Sequence, residues 1–233
     1  MKQLINSVKD LSLVAKKSTC HRTFLDGTML DPSCQNLVNK MNALKPEYLG
    51  IQGMGEDPYH FKGNLNRITV DMDNEDYRLV MFFIKKGTRM PLHDHPNMSV
   101  FFRLVFGSLD YRSYDKIDEK FKYNNFVDDE YHEILSTKTR IKAKKSRPMT
   151  LKTDDVLFVR PSVNNMHEFV AKENSCFFDI CLPNYTPMNH SRRITYFKEI
   201  MKDQSTLYKG GITELEYDTT PPVMPVDFKI EDL

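Results

Sequence analysis

The sequence predicts a mostly β protein, a barrel or sandwich of short strands preceded by helices. Three observations predict it. Apolar residues recur at helical spacing over the first fifty positions. From about Ile68 the texture changes to short β-branched or aromatic runs broken by Gly, Pro, Asn and Asp. Finally, Pro91 to Pro96 carries two histidines, His93 and His95, two residues apart on an extended segment.

The first helix follows from Leu4, Ile5, Val8, Leu11, Val14 and Ala15. A second takes Asp31 as N-cap and Pro32 as its first helical residue, and it buries Leu37, Val38, Met41 and Leu44. It ends before Pro46, because a proline disfavours helix at the residue preceding it. A glycine-bearing loop spans Gly50 to Gly63. The strand runs are Arg67–Met72, Tyr77–Ile84, Ser99–Phe106, Asp110–Tyr114, Met149–Leu151, Val156–Val159, His167–Ala171 and Cys176–Leu182. The charged stretch from Lys116 to Pro148, with its basic run Arg140 to Arg147, reads as a solvated excursion between two barrel halves. After Asn184 the chain carries Arg192 to Phe197, then an acidic tail from Asp218 with Pro221, Pro222 and Pro225. The expected organisation is a single domain overall, with a helical segment, 1–50, packing on a barrel, 51–233.

Composition narrows the function classes. The 233 residues are 40% apolar with 15 Phe and 11 Tyr, enough for a sizeable core. A net charge of +1 gives no reason to expect a nucleic-acid groove or an anionic membrane surface. No apolar run approaches the roughly 18 residues of a membrane span. Met1 to Lys17 lacks a continuous apolar core, so it is not a secretory signal. A cytoplasmic protein is expected, nuclear entry being compatible and a mitochondrial presequence the alternative. The four cysteines form no CxxC pair and no disulfide framework, consistent with a reducing compartment. Cys176 and Cys181, five apart on a strand, point to opposite faces. With no exposed heptad or continuous apolar face, a monomer is expected.

The chemistry lies around His93 and His95. Residues two apart on an extended segment project from one face, so both imidazoles aim together while Leu92 and Asp94 aim away. His167, opening an apolar run after a strand and turn, is the candidate third ligand. Three imidazoles would occupy one triangular face of an octahedron and leave the other open. No carboxylate stands at Ser99 or Val100, shortly after the pair. Three neutral donors leave divalent iron its full charge and favour an incoming anion such as a thiolate, which argues against a two-histidine, one-carboxylate oxygenase. Zinc and nickel stay open, since imidazole suits them as well. His21, His60, His132 and His190 have no partner at ligand spacing.

Gly87, five residues, His93-x-His95 and later Gly107 resemble the first cupin motif; Asp155, five residues, Pro161 and then His167 resemble the second, with Asp155 where Gly is usual and one extra residue before the histidine. The run Pro91-Leu92-His93-Asp94-His95-Pro96 with Met98, then Leu104 to Leu109 and Ser113-Tyr114-Asp115, closely resembles the cysteamine dioxygenase and plant cysteine oxidase family. The similarity resumes at Phe178-Asp179-Ile180, Leu182-Pro183 and Tyr185, and it covers roughly Tyr77 to Phe197. It implies a cupin-type double-stranded β-helix (jelly-roll) barrel, with 51–233 as the thiol dioxygenase domain. It also implies Fe(2+) on an all-histidine triad, and O2 used to oxidise an amine-bearing thiol to the sulfinate. The substrate is then cysteamine or a Cys-initiated peptide or protein; in the second case the product marks the protein for degradation, and the enzyme senses oxygen.

Two departures from the family stand out. Ile194 occupies the place where some animal members carry a cysteine that crosslinks to tyrosine, so no such crosslink is expected here. Asn97 stands where the family has Gly, and Asn tolerates the left-handed backbone better than most residues.

Asp179, Tyr185 and Tyr196 are the remaining candidates. Asp179 sits in an apolar strand where an unpaired carboxylate is costly; it reads either as half of an ion pair at the barrel rim or as the acceptor for the substrate's ammonium. The tyrosines read either as core residues with hydroxyls at the edge or as site residues. The segments around Asn97 and Asn184–Asn189 are expected to line the mouth. The rival classes are a non-catalytic metal-binding cupin module and a cupin isomerase using another metal.

Overall fold

Successive residues from Cys176 to Leu182 face different layers, and that alternation sets the architecture. Cys176, Phe178, Ile180 and Leu182 pack in an apolar cluster beneath the N-terminal helices. Phe177 instead joins a cluster between the two sheets, while Asp179 and Cys181 line a pocket on that same inner side. The two cysteines thus face opposite ways, as period-2 geometry requires.

The structure, a computed structural model, describes residues 1–17, 32–51, 53, 55–56, 62–73, 75–118, 140–185, 192–200, 211–221 and 223–227. Helix α1 spans Lys2–Lys17 and α2 spans Pro32–Asn42, followed by a 3-10 turn at Pro46–Leu49. The strands are β1 (Leu65–Asp73), β2 (Tyr77–Ile84), β3 (Arg89–His93), β4 (Ser99–Phe106), β5 (Ser108–Lys116), β6 (Arg140–Lys145), β7 (Met149–Lys152), β8 (Val156–Val159), β9 (Met166–Ala171), β10 (Ser175–Leu182), β11 (Phe197–Ile200), β12 (Ile212–Tyr217) and β13 (Val226–Asp227).

One sheet runs β13-β1-β2-β10-β4-β8; the other runs β11-β12-β6-β5-β9-β3, with β7 also on β5. Strands β2, β4, β8 and β10 therefore alternate between sheets with β3, β5, β7 and β9. Eight strands wound in that order, β2-β10-β4-β8 against β3-β9-β5-β7, make the double-stranded β-helix of a cupin jelly roll. The turn from β4 to β5 needs glycine: Gly107 has φ +94°, and a Cβ there would lie 2.3 Å from Ser175 Oγ.

The helices cover the outer face of the first sheet. Leu4, Val8 and Leu11 of α1 and Leu37 and Met41 of α2 are buried there, with Leu44 beyond α2. Arg103 of β4 fastens them, donating to the carbonyls of Met41 (2.6 Å) and Leu44 (2.5 Å) at and just beyond the end of α2. Val14 is exposed, because helical geometry puts it about 80° away from Leu4. The expected N-cap Asp31, along with Cys20 and residues 119–139, lies outside the described residues. No described helix is long and apolar enough to cross a membrane.

Two segments differ from the sequence expectation. Arg140–Lys145 is a paired strand, not a solvated excursion: Ile141 and Ala143 are buried while Arg140 and Lys142 are exposed. The basic residues sit on alternate outward positions, so the run reads as charge and conceals a period of two. The chain after Asn184 likewise adds β11, β12 and β13 to the sheets. Of these, β12 buries Leu215 alone and β13 is only two residues long, so neither carries a hydrophobic signature.

Candidate metal centre

The three histidines reach one point by different routes. Strands β3 and β9 pair with His93 opposite His167, after a register irregularity between Met90 and His93. His95 follows in the turn beyond β3, where Asn165 clamps its backbone: Asn165 Oδ1 accepts from His95 N at 3.0 Å, and Asn165 Nδ2 donates to His95 O at 2.7 Å. The next residues turn through a left-handed Asn97 (φ 55°), the conformation expected of asparagine at a glycine position. Ring centroids of the three imidazoles lie 4.8 to 4.9 Å apart. All three rings are buried, and their ligand nitrogens lie within 4.8 Å of one another. His95 Nε2 and His167 Nε2 are 3.4 Å apart, inside the roughly 4.2 Å that separates two nitrogens each about 2.1 Å from a shared ion.

Hydrogen bonds assign the tautomers. His93 Nδ1 donates to the carbonyl of Pro91 at 2.8 Å, leaving Nε2 as a lone pair. The Tyr185 hydroxyl donates to the carbonyl of Asp94 (3.0 Å), so its oxygen accepts from His95 Nδ1–H at 2.5 Å. His95 Nε2 is then also a lone pair. His167 Nδ1 is aimed at the Asn164 backbone but closes no hydrogen bond. Burial holds all three imidazoles below the usual histidine range, and neighbouring imidazoles add to this for His95 and His167. Neutral lone pairs converging in a buried site suit a cation between them. Among the described residues this cluster contains only histidines, so it can hold a metal ion without a carboxylate ligand.

Behind the pair lies a fully buried ion pair. Asp94 Oδ2 accepts from Lys116 Nζ at 3.2 Å, Asp94 Oδ1 accepts from Thr195 N at 2.8 Å, and Asp94 N donates to Thr195 O at 3.1 Å. Burial pulls Lys116 down to about 7, against the attraction of Asp94. These contacts tie the histidine turn to Thr195 and so to Tyr196, whose ring centroid is 6.3 Å from that of His93.

His93 and His95 open into a pocket of about 400 Å³. Its lining brings together His93, His95, Asp179, Tyr185 and Tyr196; His167 closes the triad beside them, against Phe169 and Tyr111. Among the described residues Asp179 makes no ion pair: its Oδ1 is buried without a partner there, and burial pushes its carboxyl well above the usual range. The mouth differs from expectation. Tyr185 lines it but Asn97 does not, and residues 186–190 lie outside the described set. Arg193 and Ile194 contribute instead, with Val223, Met224 and Pro225, whose segment is held by β13 on β1 and by a two-point Arg67–Asp227 pair (2.6 and 2.7 Å). Sequence reasoning also missed Arg67, Arg78 and Cys181 on the inner wall. Cys181 was within reach, since alternation along β10 puts it on the face of Asp179. His21, His60, His132 and His190 are not among the described residues.

Several known proteins are similar to this chain. The Dictyostelium discoideum protein named "Probable 2-aminoethanethiol dioxygenase" is 28% identical over 147 residues, 62% of this chain and 58% of that protein. Plant cysteine oxidase 2 of Arabidopsis thaliana is 27% identical over 187 residues, 77% of this chain and 63% of that one. The 2-aminoethanethiol dioxygenase of Mus musculus is 26% identical, covering 65% of this chain and 62% of its own. The chain thus spans less than two thirds of the length of these relatives. Among solved structures, KdgF from Halomonas sp. is 15% identical with a TM-score of 0.35, over 53% of this chain and 84% of that one. An RmlC-like cupin from Shewanella frigidimarina is 18% identical, with a TM-score of 0.35 over 53% and 80%. The profile of the PCO_ADO family matches residues 41–230, most of the chain, and the protein belongs to that family.

Proposed function

We propose that the protein is an iron(II) thiol dioxygenase that adds both atoms of O2 to an amine-bearing thiol, a Cys-initiated peptide or cysteamine, giving the sulfinate. The observation that carries this reading is a cluster of three neutral, buried imidazoles, two of which line the same pocket as Asp179, a carboxyl whose Oδ1 has no partner among the described residues. His93, His95 and His167 would hold the iron. An iron(II) ion bound there supplies a centre where a thiol loses its proton and O2 is brought beside sulfur.

The residues of the chain do the rest. Pro91 and Tyr185 keep the lone pairs of His93 and His95 facing inward. Asp179 Oδ1 accepts a hydrogen bond from the substrate's ammonium, and that cation lowers the cost of its buried charge. Val80, Phe82, Met90 and Val223 line the pocket with apolar surface that excludes water. In the overall conversion sulfur gives up four electrons and O2 accepts them, both oxygens ending on sulfur, so no external reductant enters. The same reading takes the protein to be a cytosolic monomer, which cell fractionation and size-exclusion chromatography test. Oxidation of protein N-termini in that setting would couple O2 supply to protein lifetime.

The test is O2 uptake by iron-loaded protein given cysteamine or a Cys-initiated peptide, with mass spectrometry for a gain of about 32 Da on the thiol product. No uptake and no mass gain with either substrate would leave a metal-binding module without catalysis. Turnover without O2 would point to an isomerase.

A further inference from the structure

The wall of the pocket carries two arginines from neighbouring strands, and they are not equivalent. Arg67 of β1 is neutralised by the two-point pair with Asp227. Arg78 of β2 has no carboxylate partner among the described residues. One of its terminal nitrogens donates to Thr69 Oγ1 at 2.7 Å, while its Nε is buried with no partner. A half-buried guanidinium with no contacting carboxylate is costly; Arg67 nearby adds repulsion, and the more distant Asp227, already paired to Arg67, attracts it more weakly. Such a group persists where its counter-ion arrives from outside.

Its position says what that counter-ion belongs to. Arg78 pairs across the sheet with Cys181, and Asp179 pairs with Val80. Arg78 and Asp179 are therefore diagonal neighbours on one face, with backbones roughly 7 Å apart. Both line the pocket with His93 and His95, yet neither satisfies the other: among the described residues Asp179 Oδ1 and Arg78 Nε each lack a partner. The wall thus offers separate acidic and basic points beside the histidines.

Resting on the dioxygenase reading for the identity of the thiol, we infer that Arg78 forms an anion subsite that binds a carboxylate on the substrate. The preferred substrate then carries an ammonium, a thiol and a carboxylate, which cysteamine lacks. The carboxylate comes either from free cysteine itself or from an acidic residue following an N-terminal cysteine. Thr69 orients the guanidinium. The Arg67–Asp227 pair fills the adjacent position and Arg193 lies at the mouth, so Arg78 is the basic point of the inner wall that has no carboxylate partner among the described residues.

Binding tests this without turnover. Iron-loaded protein, held anaerobically, is titrated in a calorimeter with two matched pairs: free cysteine against cysteinamide, and amidated Cys-Asp-Gly against amidated Cys-Asn-Gly. The carboxylate member of at least one pair binds about tenfold more tightly, the worth of one charge-assisted hydrogen bond; which pair does so identifies the source of the carboxylate. In Arg78→Gln the ratio falls to about one, and in Thr69→Val, which removes only the supporting hydroxyl, it falls part of the way. Equal affinities within both pairs, no binding by any of the four, or a ratio unchanged in Arg78→Gln overturns the subsite. O2 uptake on the same samples reports on the dioxygenase separately: a carboxylate preference without uptake sinks the enzymatic reading and keeps the subsite.

Discussion

The phenolic oxygen of Tyr185 lies 2.5 Å from Nδ1 of His95 and 3.0 Å from the carbonyl oxygen of Asp94. One hydroxyl therefore fixes both the tautomer of a candidate ligand and the backbone of the turn that presents it. Tyr185→Phe keeps the ring and removes that control. Metal affinity, read by competition with a chelator, falls about 10- to 100-fold with little change in melting temperature. An unaltered affinity would mean that Asn165 alone positions His95.

Asp179 is a destabilising residue in the isolated protein. Burial makes its folded carboxyl keep its proton well above pH 3.8, where the unfolded chain releases it. In that window the folded state holds more protons, so stability falls as pH rises from about 4. Asp179→Asn removes this slope and raises stability at neutral pH by about 1–3 kcal/mol, measured by urea unfolding. Thiol-dependent O2 uptake falls in the same variant. Lower stability would show instead that the carboxylate has a structural partner.

Lys116 behaves in the opposite sense with pH. Its folded ammonium titrates at about 7 and its unfolded one at 10.5. Between these values the unfolded chain binds the extra proton, so the contribution of Lys116 to stability rises with pH across that window and is flat below it. Lys116→Met breaks the buried pair with Asp94 and destabilises by about 3 kcal/mol at neutral pH. The gap to wild type widens as pH climbs toward 10, which denaturation curves at several pH values reveal. A gap independent of pH would place the normal lysine pKa in the folded state.

The Arg67–Asp227 pair is partly exposed, 28% and 66% for the two side chains, and contributes little to global stability. Asp227→Asn changes unfolding free energy by less than about 1 kcal/mol. Its effect is on the pocket: Val223, Met224 and Pro225 lose their anchor, and KM for the thiol rises severalfold while melting stays put. Gly63→Ala gives the same phenotype by an independent route, since its Cβ would lie 2.8 Å from Val226 Cγ2. If both variants keep the wild-type KM, the segment is not a working wall.

The legible part of the molecule was the part with a periodic or spaced signal. Strands Tyr77–Ile84, Ser99–Phe106 and Val156–Val159 have the ends that their apolar runs and flanking turn residues imply. His93 and His95 stood out through their spacing, and His167 through its place after Pro161. Strand β6 was hidden because lysines and arginines occupy its solvent positions, and composition masked alternation. Strands β12 and β13 were hidden for a different reason: they sit where sheet edges are extended by backbone pairing, and Leu215 alone supplies an apolar anchor. The same holds for the site. Histidines announce themselves, whereas Arg78 and Val223–Pro225 matter through cross-strand register, which no local pattern encodes.

The order in which the chain is made gives the outer wall a further meaning. Residues 93 to 167 leave the ribosome well before Val223 to Asp227, so a nascent chain possesses its three imidazoles while one side of the cavity is still missing. The histidine cluster is thus made before the wall that bounds its pocket. A protease that clips between β12 and β13 would likewise separate Val223, Met224 and Pro225 from the rest of the chain while leaving His93, His95 and His167 on one piece.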